Sequence, residues 1–436
     1  MHDLLIIGGG PGGCAAALRA ARGGLSVALF EPRQVGGTCL NRGCIPTKAL
    51  LHGAKPGCDW SQLAAEKESV VATLRSGMEK QLKAAKVEVV PAQAVITGPN
   101  TVRTADGALW EGRSILVSAG SLPAPLPIPG MDLPGVCNSD GLLDDIRPRD
   151  HLLIIGGGVI GVELAWVWAS AGCKVTIVEA LDRLIANLDR ELSQSLTMEL
   201  KKAGVTVYTG ASVAEIQPGP AVRFTHKGEE HTLAADTVLV AAGRKPATNS
   251  LFEGVSPAMN RGFLTVDEQF RTSIPSIYAI GDAIGGAMLA HKAEAEGDVV
   301  AHLLLGKTPR RGTSPIPSCV YTDPELGQVG LTLDEAKAQN IPAVSGKCVM
   351  GANGRTLIEG GKRGFVKLVF HKESHALLGA QLCCYRASDL IAELTLAVSL
   401  GLTAEQLLRP VRPHPTFAEA VTAAVEAGLE ALERSN

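Results

Sequence analysis

One pattern occurs twice in this chain and restricts its fold more than any other feature. Residues 8–13 read Gly8-Gly9-Gly10-Pro11-Gly12-Gly13, and residues 156–161 read Gly156-Gly157-Gly158-Val159-Ile160-Gly161; both are G-x-G-x-x-G. Each follows a short apolar strand (Leu4 to Ile7, Leu152 to Ile155) and opens a helix, the first running from Cys14 to about Arg22. Each is followed by a second strand that ends in an acid: Leu25 to Phe30 before Glu31, and Lys174 to Val178 before Glu179. The offset from third glycine to acid is 18 in both copies. In such a unit the first glycine (Gly8, Gly156) makes a tight turn and the second (Gly10, Gly158) lets the backbone approach a pyrophosphate. The third (Gly13, Gly161) lets helix and strand pack closely. The helix N-terminus favours phosphate, and the acid accepts hydrogen bonds from a ribose. Two copies imply two dinucleotides, or one dinucleotide and a decayed copy. A carboxylate at 179 accepts from a free 2′-OH and repels a 2′-phosphate, which favours NAD over NADP, with Arg183 close by as the opposing feature.

The rest of the chain is read around these two units. At 436 residues it is too long for one ordinary core. Abundant glycine (49) and few aromatics (4%) suit an α/β protein with tight turns. A net charge of −3 without a basic block argues against nucleic acid as a partner. No apolar run reaches the roughly 18 residues that span a bilayer, and no export peptide is legible before Leu4; a cytoplasmic protein is expected. Helical spacing of Leu63, Val70, Val71, Leu74, Met78 and Leu82 predicts one long amphipathic helix over 61–85. Strands are expected at 87–90, 94–97, 102–104, 115–117, 238–242 and 277–280. A run of prolines (Pro123, Pro125, Pro127, Pro129, Pro134) marks a crossing between domains. From about Thr313 the texture turns to α+β, with strands near 320–321, 365–370 and 377–382, and helices near 333–339, 387–400 and 404–408 and at the end. The fold expected is therefore α/β: two Rossmann-like dinucleotide-binding domains plus a C-terminal α+β domain. The boundaries are 1–140 with 266–312, then 141–265, then 313–436.

Between the first unit and the long helix lies Gly36-Gly37-Thr38-Cys39-Leu40-Asn41-Arg42-Gly43-Cys44-Ile45-Pro46-Thr47-Lys48. Ten scattered cysteines do not form a disulfide framework, and any disulfide in such a chain is catalytic rather than structural. C-x4-C with no further Cys or His pair nearby is poor zinc spacing, so no metal is expected. On a regular helix Cys39 and Cys44 would have Cα atoms roughly 8–9 Å apart, too far for a disulfide. A redox pair there requires a broken helix, and Gly43 and Pro46 are the residues that would allow it. The competing reading is two buried free thiols.

With these residues assembled, the chain resembles the flavoprotein disulfide reductases, most closely the dihydrolipoyl dehydrogenases, over nearly its full length. The resemblance rests on Gly37 to Lys48, both glycine loops, Gly243-Arg244-Lys245-Pro246, Tyr278-Ala279-Ile280-Gly281-Asp282, Met288 to Gly297, Tyr321-Thr322-Asp323-Pro324-Glu325 and His414-Pro415-Thr416. It implies FAD on the first loop and NAD on the second. Cofactor contacts would come from Glu31, Gly37, Thr38, Lys48, Gly120, Asp282, Met288, Leu289, Ala290, His291 and Gly243, besides the loop glycines and Glu179. It also implies a homodimer joined through the C-terminal domain, with His414 reaching the disulfide of the other subunit. The partner would be a lipoyl-bearing carrier domain or dihydrolipoamide, in a 2-oxoacid dehydrogenase or glycine-cleavage complex.

The chemistry so implied is an NAD-dependent oxidation of a dihydrolipoyl group through a Cys39–Cys44 disulfide and FAD. A related reductase of another small disulfide, or of a lipoyl protein outside those complexes, is the alternative. Cys39 meets the substrate and Cys44 the flavin; His414 takes the thiol proton and Glu419 orients it. Lys48 pairs with Glu163 beside the flavin, or both are solvated helix charges. Ser118, Asp323 and Arg412 depart from the usual pattern, Arg412 standing where a second His often precedes the catalytic one. Cys383-Cys384 is read as core.

Overall fold

Both strand–loop–helix units form, the first among the parallel strands of a mixed sheet and the second in a parallel one. The computed structural model describes residues 1–361 and 364–435; of the C-terminal domain expected over 313–436, Lys362, Arg363 and Asn436 lie outside the described residues. In the first sheet His2–Ile7 is central. It runs parallel to Val27–Phe30 on one side and to Leu109–Val117 on the other. Ile277–Ala279 returns from far along the chain to pair in parallel with Leu109–Val117. Leu4, Leu5 and Ile6 are fully buried, as a strand covered on both faces must be. The second sheet has the order Thr206–Thr209, Lys174–Glu179, His151–Ile155, Thr237–Val240, Val136–Cys137, all parallel.

The first helix begins at Pro11, not Cys14, because proline suits the first helical position, where its missing N–H is no loss. The long helix is Trp60–Ala84, capped by Asp59, whose carboxylate accepts from the backbone N–H of Ser61 and Gln62. The strand expected at 115–117 extends back to Leu109. A three-stranded antiparallel meander, Ala211–Gln217, Ala221–His226 and Glu229–Ala234, is an addition to the expected elements. Its Ile216, Val222 and Phe224 cover one face of the second sheet at Leu153, Ile155 and Val178.

The C-terminal part is an antiparallel sheet in the order Ser318–Val320, Glu325–Gly330, Leu377–Cys384, Phe365–His371, Ala343–Val349. Helices Ala387–Leu400 and Glu419–Glu433 pack on it. Cys383 and Cys384 are buried at the end of their strand, as read. No helix among the described residues is long and apolar enough to cross a membrane.

This sheet is fastened to the second unit by a buried ion pair. Lys367 Nζ lies 2.8 Å from Asp189 Oδ2, with side chains only 7% and 6% exposed. Asp189 also caps the Arg190–Lys202 helix through the N–H of Glu191. Removing one partner of such a pair strands the other charge in the interior. Lys367→Met is therefore expected to cost about 3–5 kcal/mol, read as a lowered urea midpoint. The double variant Asp189→Asn/Lys367→Met should recover part of that loss.

Candidate active site

The two glycine loops are close geometric copies. Gly8 and Gly156 have φ of +101° and +111°, the left-handed region that favours glycine. A Cβ on Gly13 would sit 2.0 Å from the carbonyl oxygen of Gly8, and one on Gly161 would sit 2.0 Å from that of Gly156. The acids repeat as well. Glu31 accepts from Gly9 N at 2.8 Å and Arg33 N at 3.0 Å; Glu179 accepts from Gly157 N at 2.5 Å and Leu181 N at 2.7 Å. Each carboxylate thus ties its glycine loop to the turn after its own strand. Neither Pro11–Arg22 nor Val159–Ser170 has a side-chain cap, and the space around Gly10 and Gly158 is open. Uncapped helix N-termini facing open space are what a pyrophosphate requires, so the residues fit dinucleotides at both loops. Arg183 is held by the carbonyl of Ala186 at 2.7 Å.

Both loops open into one cleft of about 2380 Å³. That exceeds the few hundred to roughly 1,000 Å³ of an ordinary small-molecule site and leaves room for more than one ligand. Cys39, Cys44, Lys48, Glu163, Asp282 and Tyr321 line it too.

The cysteine segment is anchored to the first loop. Gly36 N donates to Gly9 O at 2.7 Å, and a Cβ on Gly37 would come within 2.7 Å of Gly10 Cα. The helix is broken as the spacing requires. One helix spans Gly37–Arg42, Gly43 adopts φ −148° and ψ −107°, and a second begins at Cys44. This break brings the two sulfurs into hydrogen-bond contact. The expected disulfide is not formed here; Cys39 and Cys44 are free thiols. They are not equivalent. The hydrogen bond from Cys39 lowers the Cys44 pKa, and Lys48 adds to this against burial and Glu163. The same hydrogen bond, burial and the nearby Cys44 charge raise Cys39. The first proton lost by the pair therefore leaves Cys44 as thiolate. Cys319 also lines the cleft, but burial pushes it up to about 12, so it stays a neutral thiol.

Lys48 and Glu163 do meet: Nζ lies 2.7 Å from Glu163 Oε2. Glu163 is nearly buried, with its side chain 4% exposed, and its other oxygen accepts from Tyr321 N at 3.0 Å. Lys48 Nζ stands 4.5 Å from the centre of the Tyr321 ring, a cation–π contact. Asp282 accepts a 2.5 Å bond from Ser121 Oγ, which in turn accepts from Arg244 Nε at 2.7 Å. Tyr321, Ser121 and Arg244 were not singled out from the sequence. Tyr321 and Arg244 sit inside quoted motifs, but Ser121 carries no local signal. Gly37, Thr38, Gly120, Gly243 and residues Met288, Leu289, Ala290 and His291 all line the cleft. His291 Nε2 is bonded to the carbonyl of Pro317 at 2.8 Å.

His414 and Glu419 pair as expected, Nδ1 to Oε1 at 2.8 Å. The second oxygen of Glu419 accepts from Thr416 N at 2.8 Å. That backbone bond, then the bond to His414, holds the Glu419 carboxyl below its ordinary range. The pair does not line the cleft, and the His414 side chain is 79% exposed. Within one chain the imidazole and the thiols are not brought together.

Residues 2–297 match the family described as pyridine nucleotide-disulphide oxidoreductase, and residues 316–425 match its dimerisation domain. The chain is 38% identical to a dihydrolipoyl dehydrogenase of Geobacillus stearothermophilus, over 98% of this chain and 96% of that one. It is 38% identical to another from Haloferax volcanii, over 98% and 96%. Among solved structures it is similar to an HOCl-induced flavoprotein disulfide reductase, RclA, of Escherichia coli. There the TM-score is 0.90 and the identity 31%, over 97% of this chain and 99% of that one.

The electrostatics around Cys44 give a signed expectation for the reduced protein. Lys48→Met removes a charge that favours the thiolate and should move its titration to higher pH. Glu163→Gln removes a charge that opposes it and should move the titration lower. Ultraviolet thiolate absorbance across a pH series reads both.

Proposed function

The chain belongs to the pyridine nucleotide-disulphide oxidoreductase family, and from that premise we propose that it oxidises a dihydrolipoyl group to its cyclic disulfide and passes the electron pair to NAD⁺. One observation carries this reading: an asymmetric thiol pair, flanked by a lysine–carboxylate pair, lies in a cleft shared by two matched dinucleotide loops.

FAD is assigned to the loop at Gly8, Gly10 and Gly13 with Glu31, Thr38 and Asp282 beside it, and NAD to the loop at Gly156, Gly158 and Gly161 with Glu179. Bound there, FAD supplies a two-electron acceptor that the thiol pair reduces and that NAD⁺ reoxidises. The chain's own residues do the thiol chemistry. His414 takes the proton of a substrate thiol at Nε2 while Glu419 holds Nδ1–H and stabilises the imidazolium. The substrate thiolate attacks Cys39 Sγ of the oxidised pair. The Cys39–Cys44 bond breaks, and Cys44 leaves as a thiolate favoured by Lys48. The second substrate thiol, deprotonated in turn, attacks its own mixed-disulfide sulfur. It releases the cyclic disulfide, and its proton passes to the departing Cys39 sulfur, which leaves Cys39 as a thiol beside the Cys44 thiolate. Because His414 stands outside its own chain's cleft, the reading requires a homodimer in which each chain's His414 serves its partner's thiols. The carrier is a lipoyl-bearing domain of a 2-oxoacid dehydrogenase or glycine-cleavage complex. A cytoplasmic setting fits, since a reducing compartment keeps the remaining cysteines as thiols.

The purified flavoprotein is expected to reduce NAD⁺ with dihydrolipoamide, and NADP⁺ far more slowly. Cys44→Ser should abolish this turnover, and His414→Gln should lower it roughly 100- to 10,000-fold. Faster turnover of glutathione disulfide with NADPH would overturn the reading in favour of a different disulfide reductase.

A further inference from the structure

From Arg409 to Pro415 every residue is exposed except Arg412. Val411 beside it is 97% exposed, and His414, two positions on, has a side chain 79% exposed. Within one chain such a segment has no packing of its own to fix it before a partner covers it, yet a proton acceptor works only when held in register with its substrate. The Arg412 side chain supplies that hold. It is 6% exposed and reaches three helices at once. Nη2 donates to Glu393 Oε1 at 2.5 Å, on the Ala387–Leu400 helix. Nη1 donates to the carbonyl of Leu407 at 3.2 Å, at the C-terminal end of the Ala404–Leu408 helix. It also donates to Thr422 Oγ1 at 3.0 Å, in the opening turn of the Glu419–Glu433 helix. A cation is favoured at a helix C-terminus, and only the planar guanidinium fork can serve three acceptors in fixed directions.

Only Pro413 separates this clamp from His414, and its ring fixes φ, so the connection has little slack. On the far side Asn353 Nδ2 donates to Thr416 O at 2.9 Å. The helix that carries Glu393 also lines the large cleft through Ile391, Ala392 and Thr395. The loop is thus tied to the element that shapes the cleft.

We propose that Arg412 is a positioning residue for His414, fixing the loop so that the imidazole stands where a substrate thiol arrives. The inference rests on the reading of His414 as the base for the dihydrolipoyl thiol.

The test compares wild-type holoenzyme with Arg412→Met, Arg412→Lys, His414→Gln and the double variant Arg412→Met/His414→Gln. Steady-state turnover of dihydrolipoamide with NAD⁺ is measured beside NADH-dependent reduction of ferricyanide, which needs no thiol proton. Arg412→Met should lower kcat for dihydrolipoamide about 10- to 100-fold and leave the ferricyanide rate and the KM for NAD⁺ unchanged. Arg412→Lys should fall between it and wild type. The double variant should lose no more than His414→Gln alone, as residues acting through one group do. A wild-type kcat in Arg412→Met, or a loss that multiplies with that of His414→Gln, overturns the inference. Should Arg412→Met fail to fold, Glu393→Gln takes its place in the same series and is judged by the same outcomes. Full turnover in His414→Gln would instead sink the reading of His414, and the inference with it.

Discussion

Three parts of the chain that are remote in sequence converge on one carboxylate. Glu163 lies two residues beyond the second glycine loop. It takes the ammonium of Lys48 from the cysteine helix on one oxygen and the backbone N–H of Tyr321 from the C-terminal part on the other. Nearly buried, it would be costly without both partners. With them, the helix opened by the second glycine loop is held in register with the helix that carries Cys44. The same contact sets the charge near the sulfur. Lys48 favours the thiolate, and Glu163 tempers it. Architecture and reactivity are therefore adjusted by a single group, and neither can change without the other.

The thiol pair shows how a small backbone irregularity yields chemical asymmetry. An unbroken helix would separate the sulfurs. The break at Gly43 puts Cys39 inside one helix and Cys44 at the start of the next. The hydrogen bond between them then makes them unequal, lowering Cys44 and raising Cys39, and Lys48 adds its charge to the stabilisation of the anion. Two such groups titrate as a pair rather than singly.

Much of this was legible in the sequence, for identifiable reasons. The glycine loops and their acids are local devices whose geometry is dictated by spacing, so both units could be read directly. The need for a break between Cys39 and Cys44 followed from helix geometry alone, and Gly43 is where it falls. The Lys48–Glu163 and His414–Glu419 pairs came from family resemblance, and their side chains do meet. What could not be read depends on tertiary contact. The meander over 211–234 takes its place from packing on the second sheet, and its short alternating strands give a weak signal. Ser121 matters only because Asp282 and Arg244, more than a hundred residues away, arrive beside it. The three acceptors of Arg412 are likewise brought together by helix packing.

Glu31 and Glu179 each hold two backbone N–H groups. Each oxygen keeps lone-pair capacity to accept a ribose hydroxyl. Each loop is thereby fixed by its own acid, and the entropy of ordering it is spent on folding instead of on binding. Affinity at these sites is then governed by contacts and desolvation, with little lost to conformational search.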